Sequence, residues 1–203
     1  MRLACVVLSL ALPWSALADG DRSFTQLRDS AEKFDGSLSA FLERYVGVCP
    51  SSEGARECRE AAGAFRKNAT GKKYFFIIGE EQLSSLAPGR VMSNGEYTLG
   101  LTPFFPAGNF AVSQGAPHHL DARGNPVFPV MMLKGKSEDS MEAQRVMREV
   151  SNRNVRVELV FTPQGVWALP SRKGDKLQGV RATFNAVQAT SGVSGKSLAS
   201  AVK

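Results

Sequence analysis

The chain has 203 residues, 25 Lys plus Arg against 19 Asp plus Glu, a net charge of +6 and 43% hydrophobic residues. That composition excludes a disordered or fibrous chain and leaves room for one domain with a real core and a small helical appendage. The cations are spread rather than striped, "SRKGDK" being as dense as they become, so a nucleic-acid groove, which needs closely set charge with aromatics between, is not indicated.

The N-terminus reads "MRLACVVLSLALPWSALADG": Arg2, an apolar run from Leu3 to Leu12, Pro13, and the small-residue triplet Ala16-Leu17-Ala18. This is the layout of a secretory signal peptide cut before Asp19. The run is too short to span a bilayer, which takes about 20 residues. Residues 1–18 are therefore set aside as a leader, and Cys5 goes with them. No later apolar run is long enough for a second anchor, so a secreted or periplasmic product is expected.

Export changes what the two remaining cysteines mean. Cys49 and Cys58 stand nine positions apart in "CPSSEGAREC", not in the Cys-x-x-Cys spacing of redox pairs, and no second pair exists to complete a zinc site of about four ligands. In an oxidising compartment such a pair closes into a disulfide. It is expected to staple a helix-turn-helix corner.

The elements on either side fit that corner. Phe24, Leu27, Ala31, Phe34, Leu38, Phe41, Leu42 and Tyr45 recur at helical steps, with a possible break at Asp35-Gly36. After the Pro50-Ser51-Ser52 turn, Ala55, Cys58, Ala61, Ala62 and Phe65 repeat the pattern, and Gly71 is a terminator. Residues 19–70 are thus a helical hairpin.

Beyond Gly71 the period changes to two. "KKYFFIIG", "EYTLGLTPFF", "NFAVSQ", "PVFPVMML", "NVRVELVF", "GVWAL" and "LQGVRATFNAVQA" are strand-like runs separated by Gly, Pro and Asn. One helix, "SEDSMEAQRVMREVSN", interrupts them, with Met141, Val146, Met147 and Val150 as its apolar stripe. The expected fold is α+β: a disulfide-stapled helical hairpin, then over residues 71–190 a small OB-like antiparallel β-barrel with one helix inserted between strands. Residues 191–203, "SGVSGKSLASAVK", lack periodicity and are expected to be a flexible tail; "GVSGKS" lacks the spacing of a phosphate loop.

Candidate sites are few. His118, His119 and Asp121 lie together in "APHHLDARG" and are of the types that bind metal, although neighbours in an extended segment point to opposite sides and a solvated loop explains them equally. Phe104, Phe105, Phe110 and Trp167 are core candidates that alternatively line a groove for a peptide, glycan or lipid. No Gly-x-Ser-x-Gly element marks a nucleophile. Lys72, Lys73, Arg153, Arg156, Arg172 and Lys173 are the cations an anionic polymer would use.

The stretch "FLERYVGVCP…RECREAAGAFRKNATGKKYFFIIGEE", within residues 38–81, resembles a family of exported bacterial proteins of myxobacterial type and unknown function. The resemblance implies a periplasmic or secreted location, a cysteine-bearing helical pair beside a β-rich domain, and no catalytic residue. The leading expectation is a non-enzymatic binding or interaction module of the cell envelope, without cofactor, whose partner is a protein, peptide or glycan. The alternatives are a metal-dependent hydrolase built on His118, His119 and Asp121, and an OB-type binder of anionic polymer.

Overall fold

The computed structural model describes residues 16–33, 37–49, 54–79, 85–107, 109–117, 119–124, 127–170 and 176–203. In chain order its elements are α1 (Ala16–Ser30), β1 (Glu32–Lys33), α2 (Leu38–Val46), α3 (Ala55–Ala69), β2 (Tyr74–Ile78), β3 (Leu86–Val91), β4 (Glu96–Leu101), β5 (Phe104–Ala107), β6 (Phe110–Gln114), β7 (Met131–Lys136), α4 (Ser140–Ser151), β8 (Val155–Pro170), β9 (Lys176–Ser191) and β10 (Ser197–Val202).

The strands form one mixed sheet in the order β1-β2-β8-β9-β10-β7-β4-β3, with the β5–β6 hairpin branching from the first half of β9. The expected OB-like antiparallel barrel is not what the chain builds. The end strands β1 and β3 do not pair with each other, so the sheet stays open. Two of its pairings, β1–β2 and β6–β9, are parallel. The physical reason lies in what fills the interior. A small barrel is packed by its own side chains, whereas here Phe41, Leu42 and Tyr45 of α2 and Ala143, Val146, Met147 and Val150 of α4 enter the same core as Leu99, Leu133, Leu159 and Phe161 of the strands. Whole helices occupy the face that closure would have needed.

The backbone of the sheet is the β8–β9 hairpin, two strands of 16 residues each. "NVRVELVF" and "GVWAL", which look like separate strands, are one, carried past Pro163 by a register shift between Pro163 and Gly165. The alternation in β8 sends Val157, Leu159 and Phe161 inward. Val160 points to the other face, where Phe24 of α1 covers it together with Ala186, and Leu27, Ala31 and Phe75 pack around them.

Two strands escape the periodicity argument. β3 carries Pro88 and Gly89 and pairs only with β4, at an edge where a missing donor is tolerated. β10 lies within the expected tail. Its small residues show little pattern, but Leu198 and Ala199 are buried and its backbone pairs with β9 and β7. The "GVSGKS" segment opens as the turn between β9 and β10: Ser191 Oγ accepts from the N–H groups of Val193 and Ser194, at 3.2 and 3.0 Å. Opposite Tyr97 stands Gly135, where a Cβ would overlap the Tyr97 ring, and the freed path lets the Tyr97 hydroxyl donate to Leu198 O. An aromatic laid over a cross-strand glycine ties β4 to β10 across β7. Among the described residues no helix is long and apolar enough to cross a membrane.

Candidate binding groove on the helical layer

The helical pair is built by local rules. Ser37 caps α2, its Oγ accepting from Ala40 N at 3.2 Å. Gly47 ends α2 in the left-handed region at φ 87°. A Cβ there would stand 3.2 Å from the Ala62 Cβ, so the glycine serves both the turn and the close approach of α3. The Cys49–Cys58 disulfide is formed, with the Cα atoms 5.7 Å apart.

Polar contacts then set how α3 lies on α2. Arg66 donates from Nε to Tyr45 O and from Nη2 to Val46 O, each at 2.8 Å. These are carbonyls of the last turn of α2, which have no partner within the helix. Thr70 Oγ1 donates to Arg66 O at 2.8 Å, so in the 2.6 Å contact between Tyr45 and Thr70 the tyrosine is the donor. Phe41 is the aromatic hub, 5.5 Å from Phe65, 4.9 Å from Tyr74 and 6.3 Å from Phe161 between ring centroids.

The apolar stripe of α3 does not become core. Of its 15 residues only Ala69 is buried, while Cys58, Ala62 and Phe65 are half-covered and Ala61 is exposed. They line a cavity of about 310 Å³ together with Glu43, Arg44, Gly47 and Val48. A second cavity, about 200 Å³, continues along the same seam of α2 and α3, where Phe41, Phe65, Ala69 and Tyr74 meet Lys33, Arg44, Asn68 and Lys72. Both are bounded by Arg44 and Phe65, and the Arg44 guanidinium carbon sits 4.2 Å from the Phe65 ring centroid, a cation–π stack. The two cavities are thus the halves of one groove with Arg44 and Phe65 at its waist.

Electrostatics differ between the halves. The half beside β1 has three cations, Lys33, Arg44 and Lys72, against one carboxylate, Glu32. Lys72 Nζ pairs with Glu32 at 3.1 Å, both side chains about half exposed, which makes the pair weak. Burial pushes the Tyr74 hydroxyl above its usual range, and the nearby Glu32 charge and Tyr45 add to it, so this tyrosine is neutral at physiological pH.

The residues singled out from sequence are distributed elsewhere. Phe105 and Phe110 belong to the inner core, and Phe105 stacks on Phe184 at 5.8 Å. Phe104 and Trp167 belong to a satellite cluster on Phe128 and Ala111. Trp167 lies over Gly179, donates from Nε1 to Ser113 Oγ at 3.0 Å, and Ser113 in turn donates to Gly115 O. The four aromatics do not share one surface.

His118 lies outside the described residues, His119 is exposed, and Asp121 Oδ1 accepts from Arg123 N at 2.8 Å in a local turn. Among the described residues no three His, Cys, Asp or Glu side chains are grouped to hold a metal. Of the scattered cations, Arg156 is paired with Glu158 at 2.7 Å, Lys72 with Glu32, and Arg172 and Lys173 lie outside the described residues.

Sequence reasoning missed Arg44 and read Phe65 only as part of the helical stripe. The available signal is the composition of α3: an apolar stripe made of alanines and one Phe offers too little bulk to fill a helix-sheet interface.

A family model described as "Family of unknown function (DUF6066)" matches residues 1–202, and the chain belongs to that family. No curated protein and no solved structure matches the chain.

Proposed function

We propose that this member of a family of unknown function is an exported, non-enzymatic binding module that holds its ligand or partner in the groove between α2, α3 and β1. The observation that carries the reading is the joint lining of both cavities by Arg44 and Phe65, which gives one surface an apolar wall and a cationic rim. The larger cavity is mainly apolar and the smaller one carries the polar groups, and a concave apolar surface beside a few placed polar groups is the usual make-up of a binding site. The disulfide supports placement in an oxidising compartment, and so does the leader-like N-terminus. Phe24, Leu27 and Ala31, which anchor α1 on the sheet, lie after Asp19, so a chain cut before Asp19 keeps those contacts.

A screen of chemically diverse fragments against the oxidised protein, read by backbone amide shifts, tests the site. Shifts are expected to cluster on Arg44, Ala62, Phe65 and Lys72. Hits confined to the Phe128–Trp167 cluster or to the His119 loop would overturn it. Mass spectrometry of the protein recovered from its source cells tests export, with Asp19 expected as the first residue; a retained Met1 in the cytosol would refute that part.

A further inference from the structure

Resting on the reading that the groove is the binding surface, we infer that its ligand is a small organic monocarboxylate with a compact apolar body, the carboxylate held by Arg44 and the body laid along Phe65 and the alanines of α3. Three features converge on this chemistry.

First, Arg44 is oriented but unspent. Its guanidinium face rests on Phe65, and among the described residues it has neither an ion-pair nor a hydrogen-bond partner. Stacking consumes the face of the group and leaves its in-plane N–H donors for a planar, two-oxygen acceptor. Of the two acids near it, Glu43 takes a hydrogen bond from Ser39 at 3.3 Å and Glu32 holds Lys72.

Second, the excess of cations is local and modest. Lys33, Arg44 and Lys72 stand against Glu32 in the half beside β1 and Glu43 in the other, a net of one positive charge over the whole groove. That balance suits a singly charged anion. A polyanion would need the denser cationic track that the rest of the surface lacks.

Third, the apolar walls are small. Ala61, Ala62 and Gly47 in one half and Ala40 and Ala69 in the other leave cavities of about 310 and 200 Å³, one at the lower end of the ~300–1,000 Å³ typical of ligand pockets and one below it. A branched or single-ring body fits within one half, with its carboxylate at Arg44.

The test uses the oxidised full chain and phenylacetate, with phenylacetamide as the neutral isostere and inorganic phosphate as the anion without a body. Phenylacetate is expected to shift the amides of Arg44, Phe65 and Lys72 and to bind about tenfold more tightly than phenylacetamide, the difference a charge-assisted pair supplies. Arg44→Gln is expected to erase that tenfold preference, bringing phenylacetate down to the affinity the same variant shows for phenylacetamide, and Ala62→Trp, which fills one half of the groove, to weaken both. Equal affinity for phenylacetate and phenylacetamide, or phosphate binding as tightly as phenylacetate, would refute the monocarboxylate and leave the groove standing. Absence of shifts at the groove with every probe would sink the groove and the ligand class together. Arg44 is exposed on α2, so its variant is expected to fold; matching amide spectra of the free proteins check this.

Discussion

Helices α3 and α4 read alike in sequence and are held in opposite ways. Both carry an amphipathic stripe, but α4 buries four of its 12 residues, Ala143, Val146, Met147 and Val150, while α3 buries one of 15. α4 also starts on a side-chain cap, Asp139 accepting from Glu142 N at 2.8 Å, whereas α3 starts at Gly54 with none. What α3 lacks in burial it gains from outside: the Cys49–Cys58 bond at one end and the Arg66 hydrogen bonds to α2 further along. A helix anchored by core burial has spent its apolar stripe on the core. One anchored by a covalent bond and by polar contacts keeps its apolar face free, and in this chain that face is a wall of the groove.

The contrast is open to direct attack. Met147→Ala should have the largest effect, a loss of about 2 to 4 kcal/mol of global stability by denaturant unfolding, because it leaves a cavity in the shared core. A loss below one kcal/mol would mean that α4 is not a core helix. Replacing Cys49 and Cys58 by serine should cost about 2.5 kcal/mol in the chain-entropy account, with hydrogen-exchange protection lost first in α3; uniform loss across β8 and β9 would show that α3 is part of the core's cooperative unit. Arg66→Ala removes two hydrogen bonds from a charged donor and should cost about 1.5 kcal/mol, again with α3 opening first. Asp139→Ala should cost about 1 kcal/mol through the lost cap of α4; at Gly54 there is no cap to remove, and its φ of 85° is one that an alanine would strain.

The smallest effect is visible only in alkali. The hydroxyls of Tyr74, beside the groove, and Tyr97, beside α4, are both raised above 10.0. Burial is the main cause in each, with Glu32 and Tyr45 adding at Tyr74 and Glu142 and Glu149 adding at Tyr97 against a lowering hydrogen bond from Ser137. A group whose folded pKa is raised contributes stability that is complete below its unfolded pKa and disappears as pH climbs through the folded one. Stability should therefore begin to fall above pH 10, and Tyr74→Phe or Tyr97→Phe should flatten the fall. An ultraviolet titration that finds both phenols ionising at or below their ordinary pKa would break the argument.

Much of this was legible in the residues. The helix of Ser140–Ser151, the inward alternation of β8 and the Cys49–Cys58 pairing all follow from period, caps and spacing. The groove was not. Phe65 and the alanines of α3 have the periodicity of a buried stripe, yet in the fold Ala62 and Phe65 are only half-covered and Ala61 is exposed. Arg44 reads as an ordinary solvated charge until Phe65, a residue of another helix, is placed beneath it.

The sequence by itself determined where the chain turns, which residues alternate and which two thiols meet, because those depend on neighbours within a few positions. The tertiary structure alone decided that the sheet stays open, that β10 joins it through backbone bonds, and that two cavities meet at one arginine. These outcomes depend on partners distant in the chain: Gly135 beneath Tyr97, Ser200 beside Lys134, and helices filling the space on which a barrel would have closed. A local pattern records what a residue can bury, and the assembled fold decides what arrives to cover it.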